Sequence, residues 1–270
     1  MKKKIIALCL VVVLAVTAVT GATLAYFTDT DSEKNVMTTG NVKIEQIEQE
    51  RDDAGNLVEF KDGKPLYPAV GDNNKDGKLD AYDDTEKKLF SNEKNVVDKF
   101  VSVKNESDIP VYVRTLIAFE LPVAPEGYKG ATLTDLDDNK YVDVVNTAPY
   151  LYTVMNEGET AGKGYTLPKE TTGEYVIIKV GDVAYLVTEY YYKNESKLAP
   201  GATTDVCLKQ IYLSANATNE DAALMVGADG DYTILCLSQG VQAAGFNDAH
   251  TALDTAFGVI NAANATEWFN

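Results

Sequence analysis

Residues Val111 to Leu121 alternate without a break. Val111, Val113, Thr115, Ile117, Phe119 and Leu121 share one face, and Tyr112, Arg114 and Glu120 fall on the other. Side chains of an extended chain point to opposite faces at each step, so this pattern predicts a strand, bounded by Pro110 and Pro122. Val97 to Lys104 predicts a shorter strand that ends in the polar turn 104–108. Tyr175–Val180 and Val183–Tyr192 are joined by Gly181-Asp182, a two-residue hairpin whose glycine accepts positive φ. Thr203–Leu213 and Tyr232–Gln242 complete the set of strands.

The period changes towards the C-terminus. Leu253, Ala256 and Phe257 sit at helical spacing, with Asn247 as the expected cap of a helix from Asp248 and Gly258 as its stop. Residues 219–226 predict a second short helix. Many short strands, no strand–helix–strand alternation and few helices predict a mostly β chain, built as an antiparallel β-sandwich. Lys-Asn-Glu-Ser occurs at 104–107 and again at 193–196, which we read as turn chemistry rather than as a repeat.

The N-terminus has a different pattern. Lys2, Lys3 and Lys4 precede an apolar run from Ile5 to Val19, and Thr23 and Ala25 place small side chains at −3 and −1 of a cleavage point. This is the build of an export signal, cut between Ala25 and Tyr26. The expected organisation is 1–25 signal peptide, 26–49 N-terminal segment, 50–92 acidic insertion and 93–270 sandwich body with a C-terminal helix. The expected location is outside the cell, with membrane contact only during export. The C-terminal residues carry no LPxTG-like sorting pattern.

Charge narrows the choice of partners. The formal net charge is −17 over 270 residues, and loss of the three leader lysines makes it more negative still. Such a surface repels phosphate backbones and excludes nucleic acid as a partner; it favours divalent cations or basic surfaces. Cys207 and Cys236 remain after Cys9 leaves with the signal. A disulfide and two buried thiols both fit their apolar surroundings in sequence.

One segment has metal-ligand spacing. Asp72, Asn74, Asp76, Lys78, Asp80 and Asp83 stand at positions 1, 3, 5, 7, 9 and 12 of an EF-hand-like loop, with Gly77 at the sharp turn. Lys78 offers its backbone carbonyl. A hard cation needs six to eight oxygens around one point, and this spacing supplies them for calcium in a structural role. Asp83 stands where glutamate is usual, as in dockerin loops, but a dockerin needs two such loops.

Catalytic constellations are missing from the sequence. His250 is the single histidine, so an HExxH zinc site cannot be formed, and there is no GxSxG elbow. Neither cysteine sits in a nucleophile context, and no phosphate-cradling glycine loop is present. The expectation is a non-enzyme.

The segment Thr23-Leu24-Ala25-Tyr26-Phe27-Thr28-Asp29, followed by Asn35-Val36-Met37-Thr38-Thr39-Gly40-Asn41-Val42, resembles the entry segment of the TasA/camelysin family of Gram-positive bacteria. Met37 replaces a more usual phenylalanine. Val101–Asn105 with Tyr112-Val113-Arg114, and Tyr191-Tyr192-Lys193 with Leu198-Ala199-Pro200-Gly201 and Thr203-Thr204, are similar to later family stretches. The calcium-type insertion departs from its best-known members.

The resemblance implies a jelly-roll sandwich, processing by a signal peptidase of the SipW type, and a subunit of biofilm-matrix or cell-surface fibres. It further implies assembly with copies of itself, together with an anchoring or assembly protein. In similar proteins the freed N-terminal strand completes the sheet of the next subunit. Here Tyr26, Phe27, Val36, Met37, Val42 and Ile44, with Ile47, provide the apolar side chains of such a strand. Two other readings stay open: a calcium-dependent binding module for glycan or protein, using Tyr190-Tyr191-Tyr192, and a camelysin-type metallopeptidase.

Overall fold

The computed structural model describes residues 28–31, 42–64, 67–68, 95–134, 138–144, 151–155, 176–193, 195–214, 216–225 and 231–270. The chain is mostly β, its sheets are antiparallel, and its helices are few and short. No helix among the described residues is long and apolar enough to cross a membrane.

One layer is a five-stranded sheet in the order β1 (Thr28–Asp31), β13 (Ile234–Gln242), β6 (Val111–Glu120), β11 (Val183–Tyr191), β10 (Ile177–Val180). Its centre is the strand the alternation predicts. The hairpin β10–β11 forms around Gly181, at φ +61°. That value suits glycine, and a Cβ there would be strained.

The second layer is assembled from β3 (Leu57–Glu59), β2 (Ile44–Arg51), β4 (Val97–Asp98) with β5 (Phe100–Asn105), β12 (Leu208–Leu213) and β9 (Leu151–Met155). The expected strand 97–104 is present, broken at Lys99. The expected strand 203–213 is regular only from Leu208. Its first part still follows β5, with Cys207 N–H donating to Val101 O at 2.9 Å and Thr204 N–H to Val103 O at 2.8 Å. The stretch 44–59 is a hairpin of the body, so the expected insertion contributes its first residues to this sheet. A further short pair, β7 (Thr132–Thr134) with β8 (Lys140–Val142), lies at one end.

The layers meet face to face. Val101 of β5, Ile117 and Phe119 of β6, Leu186 of β11 and Leu208, Ile211 and Leu213 of β12 form one buried cluster. Burial of this apolar area is the main stabilising contribution.

All ten residues of β6 are buried, not only the inward half. The reason is a cover of helices on the outer face. α1 (Asn219–Leu224) lies elsewhere, capped by Thr218 in a capping box with Asp221. α2 (Ala249–Phe257) and α3 (Ala262–Phe269) close the five-stranded sheet. α2 brings Ala252 and Leu253 onto Tyr112 and Val241, and Ile260 and Ala265 with Trp268 reach Leu116, Ile178 and Leu237. The cap of α2 is Asp248 rather than Asn247. Its charged Oδ1 accepts the Thr251 N–H at 2.7 Å, a stronger helix-end interaction than a neutral amide provides.

Candidate assembly edge

β1 is the outermost strand of the five-stranded sheet and consists of four residues. It pairs antiparallel with β13 of its own chain: Thr28 opposite Val241, Asp29 opposite Gly240, Thr30 opposite Gln239 and Asp31 opposite Ser238. β13 gives its other side to β6. The β1 side of β13 is therefore the rim of this sheet.

Beneath this edge the two layers come unusually close. Gly240 has no side chain, and Ile44 of β2 fills the space a Cβ would take. Farther along the same seam the contact is polar. Ser238 Oγ donates to Gln46 Oε1 at 2.7 Å and lies 3.1 Å from Thr115 Oγ1. Gln46 Nε2 donates to Glu48 Oε1 at 2.9 Å and to the carbonyl of Cys236 at 3.3 Å. Glu48 in turn pairs with the ammonium of Lys99, which also stands over the Phe60 ring, 4.1 Å from its centroid. Inside the sandwich these polar groups are satisfied by one another, which gives the seam a fixed register that apolar packing alone would not specify.

Burial works against the charge on Lys99, but neighbouring Cys236 and Glu48 outweigh it and raise its pKa above the ordinary lysine range. Desolvation pushes the thiol of Cys236 well up, with Glu48 adding to the effect. A neutral thiol is a poor counter-ion, so the carboxylate of Glu48 is the effective one.

The sequence-predicted residues divide into two groups. Val42 and Ile44 are buried in the chain's own body, against Val103, Val111, Val113 and Leu198. Ala25, Tyr26, Phe27, Val36 and Met37 lie outside the described residues, and so do Asp72, Asn74, Asp76, Lys78, Asp80 and Asp83. Among the described residues no three of His, Cys, Asp and Glu come together as a metal set.

Cys207 and Cys236 are free thiols. Cys207 is enclosed, and desolvation pushes its pKa up to about 12. Cys207 lies on the stretch that follows β5, its N–H bonded to the Val101 carbonyl, while Cys236 comes from β13 in the other layer and packs against the same core cluster.

His250, half exposed, holds Glu195 through Nε2 at 3.2 Å and rests on the Tyr191 ring. Of the three consecutive tyrosines, Tyr190 belongs to the inter-sheet core, while Tyr191 and Tyr192 pack into two different clusters. They do not form one flat aromatic platform.

Two features escaped the sequence reading. The polar seam arises from Gln46 and Glu48, inward residues of a strand whose sequence IEQIEQER shows no apolar alternation. The second is the anchor at Arg114, fully buried on the outer face of β6. Its Nε donates to Gln239 Oε1 at 2.7 Å, Nη1 to Asp254 Oδ1 at 2.9 Å and Nη2 to the carbonyl of Gly258 at 3.2 Å. The signal was an arginine at the middle of an alternating strand, which demands a covering element with acceptors.

Comparison with protein-family models, with curated proteins and with solved structures returned no match to this chain.

Proposed function

We propose that the protein is a secreted structural subunit of extracellular fibres, of the kind its entry segment resembles. The observation that carries this reading is the position of β1, a four-residue strand at the rim of a sheet, directly behind an export-type leader. A short edge strand has few hydrogen bonds to lose, and the strand that takes its place on β13 regains them. A head-to-tail exchange of this type does not close on itself and grows a filament.

In this reading the signal peptidase cuts before Tyr26, and Tyr26, Phe27, Val36 and Met37 travel with β1 to the next subunit. Val42 and Ile44 stay behind as the root of the arm, because their burial ties them to the body. The body is a jelly-roll-like sandwich, a reading supported by a chain that passes from β5 to β6 and from β12 to β13 between layers. Calcium on the 72–83 loop stiffens the region before β4 and takes no part in chemistry. The surface stays free of nucleic acid, copies of the same chain are the main partners, and an anchoring or assembly protein fixes the fibre to the cell surface or matrix. We read the protein as a non-enzyme, because a single histidine cannot build the HExxH zinc site of a metallopeptidase.

The loop favours one second reading, a calcium-dependent binding module. Glycan pull-downs at varied calcium separate the two. The direct test of strand exchange is competition: a synthetic peptide of residues 26–41, added in excess to purified subunits, blocks fibre growth if the arm is the connector. Undiminished growth at saturating peptide contradicts it.

A further inference from the structure

Gln239 is fully buried on β13, yet one end of its amide is unused. Its Oε1 accepts from Arg114 Nε at 2.7 Å, which fixes that end as the oxygen. Its Nε2 has no hydrogen-bond partner among the described residues. A buried donor left unmet is costly, and the strand that runs past it is β1, with Thr30 opposite Gln239. In the same register Asp29 and Asp31 stand opposite Gly240 and Ser238. Those two residues of β13 belong to the face that meets β2, at Ile44 and Gln46. The two acids of β1 thus hold positions on the interior face of the sheet, while the unmet donor lies on the other face.

We propose that the arm of a second copy docks on β13 one residue out of this register, with Asp29 opposite Gln239. This rests on the strand-exchange reading given above and specifies its geometry. A slip of one residue transfers every side chain of a strand to the other face. Directly opposite residues are within reach of each other, so the Asp29 carboxylate then accepts from Gln239 Nε2. Thr30 moves opposite Ser238, a hydroxyl pair beside the polar seam, and Thr28 moves opposite Gly240. Phe27 falls opposite Val241, which belongs to the apolar cluster of Tyr112 and Leu253. The cost is Asp31 opposite Leu237, at the end of the strand. A slip in the other direction brings Asp31 to Gln239, but it forfeits the Phe27 contact and sets Asp29 against that apolar cluster.

The register within one chain is then a holding position. Inward-facing charge is a device that keeps edge strands from pairing tightly, and it leaves β1 easy to displace. Exchange satisfies the buried donor that the chain's own strand leaves unmet, which favours joined copies over copies closed on themselves.

The test uses fibres grown from an equal mixture of carbon-labelled and nitrogen-labelled chains beginning at Tyr26, read by solid-state NMR. Contacts between copies are expected from Asp29 to Gln239 and from Thr30 to Ser238. Contacts between copies from Asp29 to Gly240 overturn the slip and leave strand exchange standing. Absence of fibres, or of any contact between copies on β13, overturns strand exchange and the slip with it. A pair of variants reads the same contact without labels. Q239E keeps the acceptor for Arg114 but sets a carboxylate against Asp29, and it should raise the critical concentration for fibre growth about tenfold. D29N in the same chain should restore growth, since the amide donor then lies on the arm. Rescue by D31N in its place, or no effect of Q239E, overturns the proposal.

Discussion

Ile44 occupies the space that a side chain on Gly240 would need: its Cγ2 stands 2.8 Å from the position of a Cβ there. The two residues come from different sheets, so this contact sets how closely the layers approach beside β1. In an ordinary strand, alanine is favoured over glycine on entropic grounds. Here the sign reverses. G240A is expected to cost about 1–3 kcal/mol through overpacking, read from the shift in denaturant midpoint. I44A alone leaves a cavity and costs about 2–4 kcal/mol. Combined, the two changes should cost less than their sum; simple additivity contradicts the contact.

Arg114 holds the helical cover onto the sheet. R114M leaves Asp254, Gln239 and the Gly258 carbonyl without their donor. Breaking a buried pair costs about 3–5 kcal/mol. Asp254 is one-third exposed and recovers part of its solvation, so the expected loss is at the low end of that range. Hydrogen exchange should report loss of protection over residues 249–269 while β6 and β13 remain protected. Uniform loss across the chain would show that the anchor supports the whole fold and not only its cover.

Glu106 gives the fold an acid-sensitive contact. Lys43 and Lys104 both bond its carboxylate and lower its pKa from 4.5 to about 2. A carboxylate with a depressed folded-state pKa stabilises the fold above its unfolded value. That contribution falls away as pH drops from 4.5 towards about 2. Asp52, held down by the Asn56 N–H, and Asp248, held down by the Thr251 N–H, act in the same direction. E106Q should therefore lower stability at neutral pH slightly and flatten the acid limb of the pH–stability curve. An unchanged acid limb contradicts the contact.

Calcium should bind once per chain. Isothermal titration is expected to show one site, lost in a D72N/D76N double variant. Calcium at about 100 times its Kd should stabilise the protein by about 2.7 kcal/mol, with chelator reversing the gain. A titration with no site, or one unchanged in the double variant, removes calcium from the account.

The sheet was legible where alternation was strong. Val111–Glu120, the hairpin at Gly181-Asp182 and the last strand all follow from a period of two flanked by proline, glycine or polar turns. β2 was not legible, because Gln46 and Glu48 face inward and are satisfied by Ser238, Cys236 and Lys99 rather than by apolar burial. Only the pairing of distant strands makes a glutamine an interior residue. α3 was missed for a related reason. Its run AANATEWF is short and alanine-rich, and it is stabilised by docking on Ile178 and Leu237 and by the Asn261 cap. The arm was legible as a segment, but its root was not: burial of Val42 and Ile44 depends on Leu198 and Val103, far away in the chain.

Electron microscopy of the purified protein beginning at Tyr26, beside a form lacking residues 26–41, is the most direct test of assembly by N-terminal strand exchange. The account predicts fibres from the first and folded, monomeric particles from the second, since that deletion removes β1 but stops before Val42 and keeps the other strands of the sandwich. Fibres of the same form from the shortened chain would contradict it.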